Sequence, residues 1–267
     1  MPPRSQGQVR IGVVGAGGRM GGAIIEAVRT HPRARLAGAV EHADHPCIGR
    51  TLEEGLVVGA NPLALAHACD VLIDFTSPEA LEESLGAAEA ASRAIVVGTT
   101  GLGPAQQRAL DRAARTIPLL WSANMSRGVA LLARLAAAAA AALPGWDAEI
   151  LDLHHGGKVD APSGTALMLG EAVARARGHR PAPPRDRLAA RAARPAGEIG
   201  FAALRGGTAA GEHRLFLLGP LERLELVHVA EDRSVFAQGA VEAALWLAGR
   251  PPGRYQLADT LDLPAAL

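Results

Sequence analysis

Lysine is almost missing from this chain: of 27 basic residues one, Lys158, is lysine and the rest are arginine. Cysteine is nearly as scarce. Only Cys47 and Cys69 occur, with no CxxC and no His/Cys ligand spacing, which argues against a disulfide framework or a zinc site; two reduced thiols and no metal are expected. Net charge is absent too, since 27 acidic residues balance the 27 basic ones. A chain without a basic excess is poorly equipped to displace counterions from nucleic acid or to meet anionic lipid, so any anion it binds is small. Long apolar runs are also lacking: Val129 to Leu143 is broken by Arg134 and too short to span a bilayer, and Met1 to Arg10 holds no apolar signal core. The expectation is a cytoplasmic protein with neither a nucleic-acid nor a membrane partner.

With 267 residues, 49% of them hydrophobic, the chain is long enough for one large domain or two modest ones. Val9 to Gly15 reads as a buried strand, the glycine turn from Gly15 to Gly22 opens a helix to about Thr30, and Arg35 to Glu41 is a second strand. Strand, glycine turn, helix, strand is the opening of a doubly wound domain. Further strands are expected at Val71 to Phe75, Ala94 to Val97 and Pro118 to Trp121, with helices at Ala80 to Ala91 and Pro104 to Arg115. The alternation predicts a mainly parallel sheet over 1–125. An alanine-rich helix over Val129 to Leu143, stopped by Pro144-Gly145, begins a different pattern. Glu149 to His155, Glu198 to Arg205, Glu212 to Leu218 and Glu222 to Val229 are β-type runs, the last two an antiparallel hairpin around Gly219-Pro220-Leu221. Arg175 to Pro195 reads as a mobile loop, and a tail helix at Gln238 to Leu247 packs back on the first domain. The fold class expected is α/β: an N-terminal Rossmann domain (1–125 and 236–267) and a second α+β domain (126–235).

Two segments carry chemistry. In the first, Gly15, Gly17 and Gly21 let the backbone turn tightly and approach a pyrophosphate held by amides at the start of the following helix, although the third glycine comes one position later than in the commonest spacing. Glu41, at the end of the second strand, is placed to accept hydrogen bonds from an adenosine ribose diol and repels a 2′-phosphate. The neighbouring His42 offsets that repulsion only when protonated, so NADH is favoured and NADPH tolerated. Gly98-Thr99-Thr100 and Ser122-Ala123-Asn124-Met125 follow strands on the same scaffold and are expected to line the nicotinamide crevice.

The second segment runs from His154 to Thr165. Successive residues of a strand face opposite sides, so His154 and His155 are expected to take different roles, one donating a proton and the other gripping a carboxylate. Ser163 is a natural N-cap for a helix from Ala166 to Ala176, and the amides of Gly164 and Thr165 make an anion site at its start. Lys158 adds a compact ammonium able to give up its proton, which a guanidinium does not do. Two positive subsites beside an acid point to a small dicarboxylate next to a reduced nicotinamide. Arg19 and Arg205 are further candidate carboxylate clamps.

The motifs GAGGRMGG at 15, DFTSPE at 74, VGTTG at 97, SANMSRGV at 122, HHGGKVDAPSGTA at 154, GEIGFAALRGG at 197 and GEHRLFLLG at 211 together resemble the dihydrodipicolinate reductase family. The resemblance runs from about residue 9 onward and keeps the motif order. It implies a Rossmann domain completed by the C-terminal segment and a homotetramer assembled through open sheets of the second domain. The reaction it implies is NAD(P)H-dependent reduction of 4-hydroxy-tetrahydrodipicolinate to tetrahydrodipicolinate with loss of water, in lysine and diaminopimelate biosynthesis. His154 would be the proton donor and acceptor and Lys158 a second proton donor. His155, Ser163, Gly164 and Thr165 would bind the small cyclic dicarboxylate. Gly15, Ala16, Gly17, Gly18, Arg19, Met20, Glu41, His42, Gly98, Thr99, Thr100 and Ser122 to Met125 would contact the cofactor. His42 stands where many members carry an arginine, Met125 where phenylalanine is usual, and Arg194 is the match in a loop short of the family's glycines. Two other readings explain less: another two-domain NAD(P)H oxidoreductase accounts for the first half but not for the cluster after residue 150, and zero net charge with no recognisable DNA-binding helix pair weighs against a nicotinamide-sensing regulator without turnover.

Overall fold

The computed structural model describes residues 7–53, 55–180, 183–184 and 192–263. These divide into two compact units, one ending at Met125 and resuming at Ser234–Thr260, the other containing Ser126–Arg233.

The first unit is built on an eight-stranded sheet. Its strands are β1 (Val9–Val14), β2 (Ala34–Val40), β3 (Thr51–Glu53), β4 (Leu56–Gly59), β5 (Val71–Asp74), β6 (Ala94–Val97), β7 (Pro118–Trp121) and β12 (Gly253–Tyr255), in the order β12-β7-β6-β5-β1-β2-β4-β3. All neighbours are parallel except β3 with β4. Parallel strands are covered on both faces, which is why β5 and β6 are apolar and buried along nearly their whole length. Helices α1 (Arg19–Thr30) and α7 (Ser234–Leu247) pack together, and α3 (Leu81–Ala91) packs against both α2 (Pro62–Ala68) and α4 (Pro104–Ala113). This is the doubly wound arrangement expected.

Among the described residues five pieces were not anticipated: β3, β4, β12, α2 and a 3-10 turn at Leu257–Thr260. The strands are three or four residues long, too short to display a period. Helix α2 is announced only by Asn61, whose side chain caps Ala64 N at 3.0 Å, and by Pro62 in its first turn.

In the second unit, β8 (Asp147–His154), β9 (Ile199–Arg205), β10 (Gly211–Leu218) and β11 (Arg223–Ala230) form a mixed sheet of order β11-β10-β8-β9. Helices α5 (Arg127–Ala142) and α6 (Gly164–Ala176) cover one face. The burial of β8 alternates strictly, with Ala148, Ile150, Asp152 and His154 turned to the helices. Leu132, Ala136, Ala140, Leu169, Val173, Leu215 and Leu217 complete this core. The expected hairpin is present, closed by Gly219 N to Glu222 O at 2.9 Å.

The loop expected from Arg175 begins too early. Arg175 and Ala176 are helical, because Val173 and Ala174 are buried and Arg175 pairs with Glu171 one turn back at 2.7 Å. Residues 181–182 and 185–191 of that stretch lie outside the described residues. Arg194 is anchored, bonding Glu149 Oε1 at 3.1 Å and Ala148 O at 3.2 Å.

Candidate active site

In the first unit the carboxyl ends of β1, β2, β6 and β7 each run into a segment expected to meet cofactor. Gly15 takes φ +89°, and a Cβ on Gly21 would lie 1.9 Å from Gly15 O, so helix α1 begins hard against the turn. The amides of Gly15 and Ala16 both donate to Val40 O, at 3.0 and 3.1 Å, tying the turn to β2. Helix α1 has Gly18 as its N-cap, no side chain capping it and no acid in its first turn. Its positive end is therefore left for an outside anion, and twelve residues of helix stand behind it. Glu41 accepts from Gly17 N at 2.8 Å and from His42 N at 3.0 Å. These features fit a dinucleotide: a glycine cradle, an uncapped helix start and a carboxylate at the end of the second strand.

His45, which the sequence did not single out, lies with its ring where a Cβ on Gly17 would come within 2.2 Å of it. Its Nδ1 accepts from Cys47 N at 3.2 Å and faces Cys47 Sγ at 3.0 Å. Other expected cofactor residues are spread over different depths. Thr99 is buried and donates to Asp74 Oδ1 at 2.7 Å while its carbonyl accepts from Trp121 Nε1 at 3.1 Å, so it braces the turn, and Thr100 is exposed. Gly98 leaves room for the Phe75 ring, which a Cβ would meet at 2.1 Å. Ser122 donates to Asn124 O at 2.6 Å, Ala123 is exposed, and Met125 is core.

In the second unit the expected cluster assembles around buried polar groups. Asp152 is fully buried: Arg205 Nη1 donates to its Oδ1 at 2.7 Å and Ser163 N to its Oδ2 at 2.6 Å. Burial works to raise the Asp152 carboxyl, and the hydrogen bonds from Arg205 and Ser163 outweigh it, so the group sits below the ordinary carboxylate range. His154 is buried, with Nδ1 4.0 Å from Asp152 Oδ2. Burial lowers its proton affinity; Asp152 opposes that, and Lys158 and Arg205 add to it.

Lys158 follows in a loop, its Nζ 2.7 Å from Asp160 Oδ1, and its hydrogen bond holds the Asp160 carboxyl low. Arg205 also donates to Asp160 O at 2.7 Å, which pins this loop to Asp152. Arg205 is thus an internal clamp, while Arg19 is exposed. His155 turns the other way, as alternation requires, and lines an open depression with Gly156, Thr208, Asp232 and Arg233. Ser163 caps α6 through Ala166 N at 3.2 Å, and its own amide is taken by Asp152. Gly164 is exposed and Thr165 half-buried at the helix start.

His213 and His228 were missed. Both face the helices, and each meets an N-cap serine: His213 Nε2 lies 3.2 Å from Ser163 Oγ, and His228 Nε2 lies 3.1 Å from Ser126 Oγ. Burial depresses both imidazoles, His213 to about 4. The available signal was a histidine at an inward position of an alternating strand. Among the described residues two groups bring metal-ligating atoms within 4.8 Å of one another, Glu41 with His45 and Cys47, and Asp152 with His154 and His213. In both the carboxylate oxygens already accept hydrogen bonds, from Gly17 and His42 in one and from Arg205 and Ser163 in the other.

Comparison with known proteins agrees in both units. The family profile described as "Dihydrodipicolinate reductase, N-terminus" matches residues 9–125, and the one described as "Dihydrodipicolinate reductase, C-terminus" matches residues 128–261. The 4-hydroxy-tetrahydrodipicolinate reductase of Methylocella silvestris is 48% identical over 269 residues, covering 96% of this chain and 98% of that protein. The Alkalilimnicola ehrlichii protein of the same name is 46% identical, covering 95% of this chain and 99% of its own length. Among solved structures, dipicolinate-bound dihydrodipicolinate reductase from Paenisporosarcina sp. TG-14 superposes with a TM-score of 0.80 at 24% identity, over 95% of this chain and 100% of that one. That likeness concerns the fold.

Proposed function

The chain belongs to the dihydrodipicolinate reductase family, and from that membership we propose that it reduces 4-hydroxy-tetrahydrodipicolinate to tetrahydrodipicolinate with a reduced nicotinamide dinucleotide. Net, one hydride and one proton enter the ring and one water leaves. The observation that carries this reading is the meeting of buried His154, the Lys158 loop and the start of α6 around Asp152.

The coenzyme, when bound, supplies the hydride to ring C4. The turn from Gly15 to Met20 holds its phosphates on the uncapped start of α1. Glu41 exchanges the Gly17 amide for the ribose diol, and its carboxylate repels a 2′-phosphate, so NADH is preferred over NADPH. Gly98 to Thr100 and Ser122 to Met125 frame the nicotinamide end. His155, Lys158 and the amides of Gly164 and Thr165 hold the two carboxylates, with Ser163 fixing the cap in which those amides sit. His154 delivers the proton that completes the product, and Lys158 is the second donor. Purified chain supplied with freshly generated product of the preceding synthase should consume reduced coenzyme, with a higher kcat/KM for NADH than for NADPH. No consumption with either coenzyme would refute the assignment.

The assembly we assign is a homotetramer, made through the face of the mixed sheet that the helices leave open. Leu204 on one edge strand and Val227 and Val229 on the other are 49%, 47% and 52% exposed on that face, flanking the Arg214–Glu212 ion pair of β10, apolar side chains that a lone sheet would present to water. Two buried free thiols, Cys69 pushed up to about 11 by burial, suit the reducing cytoplasm. Among the described residues no helix is long and apolar enough to cross a membrane.

A further inference from the structure

The mixed sheet carries one rung that stability alone does not explain. Register sets Ile150 opposite Leu215 and Leu215 opposite Leu226, an apolar rung beneath the helices; two residues on, it sets Asp152 opposite His213 and His213 opposite His228. Burying a carboxylate and imidazoles costs more than burying leucines unless each polar atom is matched. The matching is incomplete, because Nδ1 of His154, His213 and His228 are all buried without a hydrogen-bond partner.

The orientation of His154 gives the rung a use. Its side chain keeps 11% exposure, almost none of it at Nδ1, the atom that faces Asp152 Oδ2 at 4.0 Å. Nε2 lies beside Gly211, where a Cβ would come within 3.0 Å of it. One edge of the ring thus faces a buried carboxylate and the other a stretch of backbone without a side chain. His213 meets the ring edge-on, with centroids 5.2 Å apart, and reaches Ser163 Oγ at 3.2 Å. Ser163 in turn caps α6 and donates its amide to the same Asp152 oxygen. The charged or titratable groups around His154 are Asp152 on its own strand, Arg205 on β9, Lys158 and Asp160 in the following loop, and His213 on β10.

We propose that Asp152 and His213 are positioning residues for His154. Asp152 accepts the Nδ1 proton of the imidazolium, which leaves Nε2 as the atom that transfers a proton, and His213 ties the ring through Ser163 to the start of α6. After transfer the proton on Nδ1 stays, the ring is neutral and Asp152 remains ionised. The 4.0 Å separation is an electrostatic contact that closes to a hydrogen bond when the ring carries both protons. The acid and the anion-binding helix then move as one body. This deepens the reductase reading and rests on it for the role of His154.

The test is nitrogen NMR of the His154 ring in the full chain, with His154→Ala used for assignment. In wild type the neutral ring should carry its proton on Nδ1. In Asp152→Asn its titration midpoint should fall by about one pH unit or more, with the proton moved to Nε2, and Asp152→Glu should restore the wild-type tautomer. Turnover in Asp152→Asn should fall about tenfold or more, its alkaline limb moving to lower pH, while NADH binding stays within about twofold. A wild-type ring with its neutral proton on Nε2 overturns the proposal without any variant, as does an unchanged midpoint in Asp152→Asn. Wild type that fails to turn over refutes the reductase reading instead, and the NMR result still decides the positioning.

Discussion

Lys158 shows what one residue type supplies that another does not. An ammonium is compact and can release a proton, whereas a guanidinium in the same place would present a fixed fork and keep its charge. Asp160 holds it at 2.7 Å, so a ligand carboxylate arriving there meets an ammonium already oriented. Lys158→Ala and His154→Ala should each lower kcat by about two orders of magnitude or more, and Lys158→Arg should not recover it. Dissociation constants for NADH, read by fluorescence, should stay near wild type in all three, since the glycine turn belongs to the other unit. Unchanged turnover in both alanine variants would remove the roles assigned to these side chains. Glu41 carries a second contrast at this scale. Its removal deletes a partner of the ribose diol but also a negative charge that opposes a 2′-phosphate. Glu41→Ala should therefore weaken NADH about tenfold, the worth of one charge-assisted hydrogen bond, and weaken NADPH less. Equal weakening of the two would mean that Glu41 does not meet the ribose.

At the scale of elements, the start of α1 depends on a clearance that no side chain larger than hydrogen respects. Gly21→Ala places a methyl 1.9 Å from Gly15 O, so either the helix retreats or the turn opens. The expected result is a melting temperature several degrees lower and a loss of dinucleotide affinity of tenfold or more; a variant that binds NADH normally would show that the turn is not the phosphate cradle. This clearance was legible in the order strand, Gly15, Gly17, Gly21, because the requirement is local. The parallel strands were legible for a similar reason, since β1, β5 and β6 are covered on both faces and so are apolar at nearly every position, Arg10 and Asp74 excepted. Strand β3, with exposed Thr51 and Glu53, belongs to an edge and carries no such imprint. The site divides the same way. His154, Lys158 and Ser163 lie within ten residues of one another and could be read as a motif, whereas Asp152, His213 and His228 become neighbours only through the register of β8, β10 and β11. A period of two places them inward; nothing in the chain says which inward residue of one strand lies opposite which of the next.

For the whole molecule, the open face of the mixed sheet and its buried polar rung make separate demands. The tetramer proposed through that face has a direct test: Val229→Arg with Leu204→Glu should convert it, as followed by sedimentation, into smaller species, and an unaltered sedimentation coefficient would place the contacts elsewhere. The rung makes the second unit sensitive to acid. In the folded chain burial holds His213 to about 4 against an ordinary value of 6.5, so between those limits the unfolded chain binds a proton that the folded chain refuses. Stability from this group is therefore complete above about pH 6.5 and is lost as pH falls towards 4. The full effect is on the order of 3 kcal/mol. His154 and His228, both depressed by burial, push in the same direction. Because two units need not unfold together, the measurement should be local: hydrogen exchange of the β8 and β10 amides at pH 7.5 and pH 4.5. His213→Gln removes the titrating ring. It should cost about 1 kcal/mol at the higher pH through the lost Ser163 contact, yet the variant should lose about 2 kcal/mol less than wild type on going to the lower. An identical acid loss in the two proteins would mean that His213 takes up its proton without unfolding the rung, and the buried network would then have to tolerate a charge at its centre.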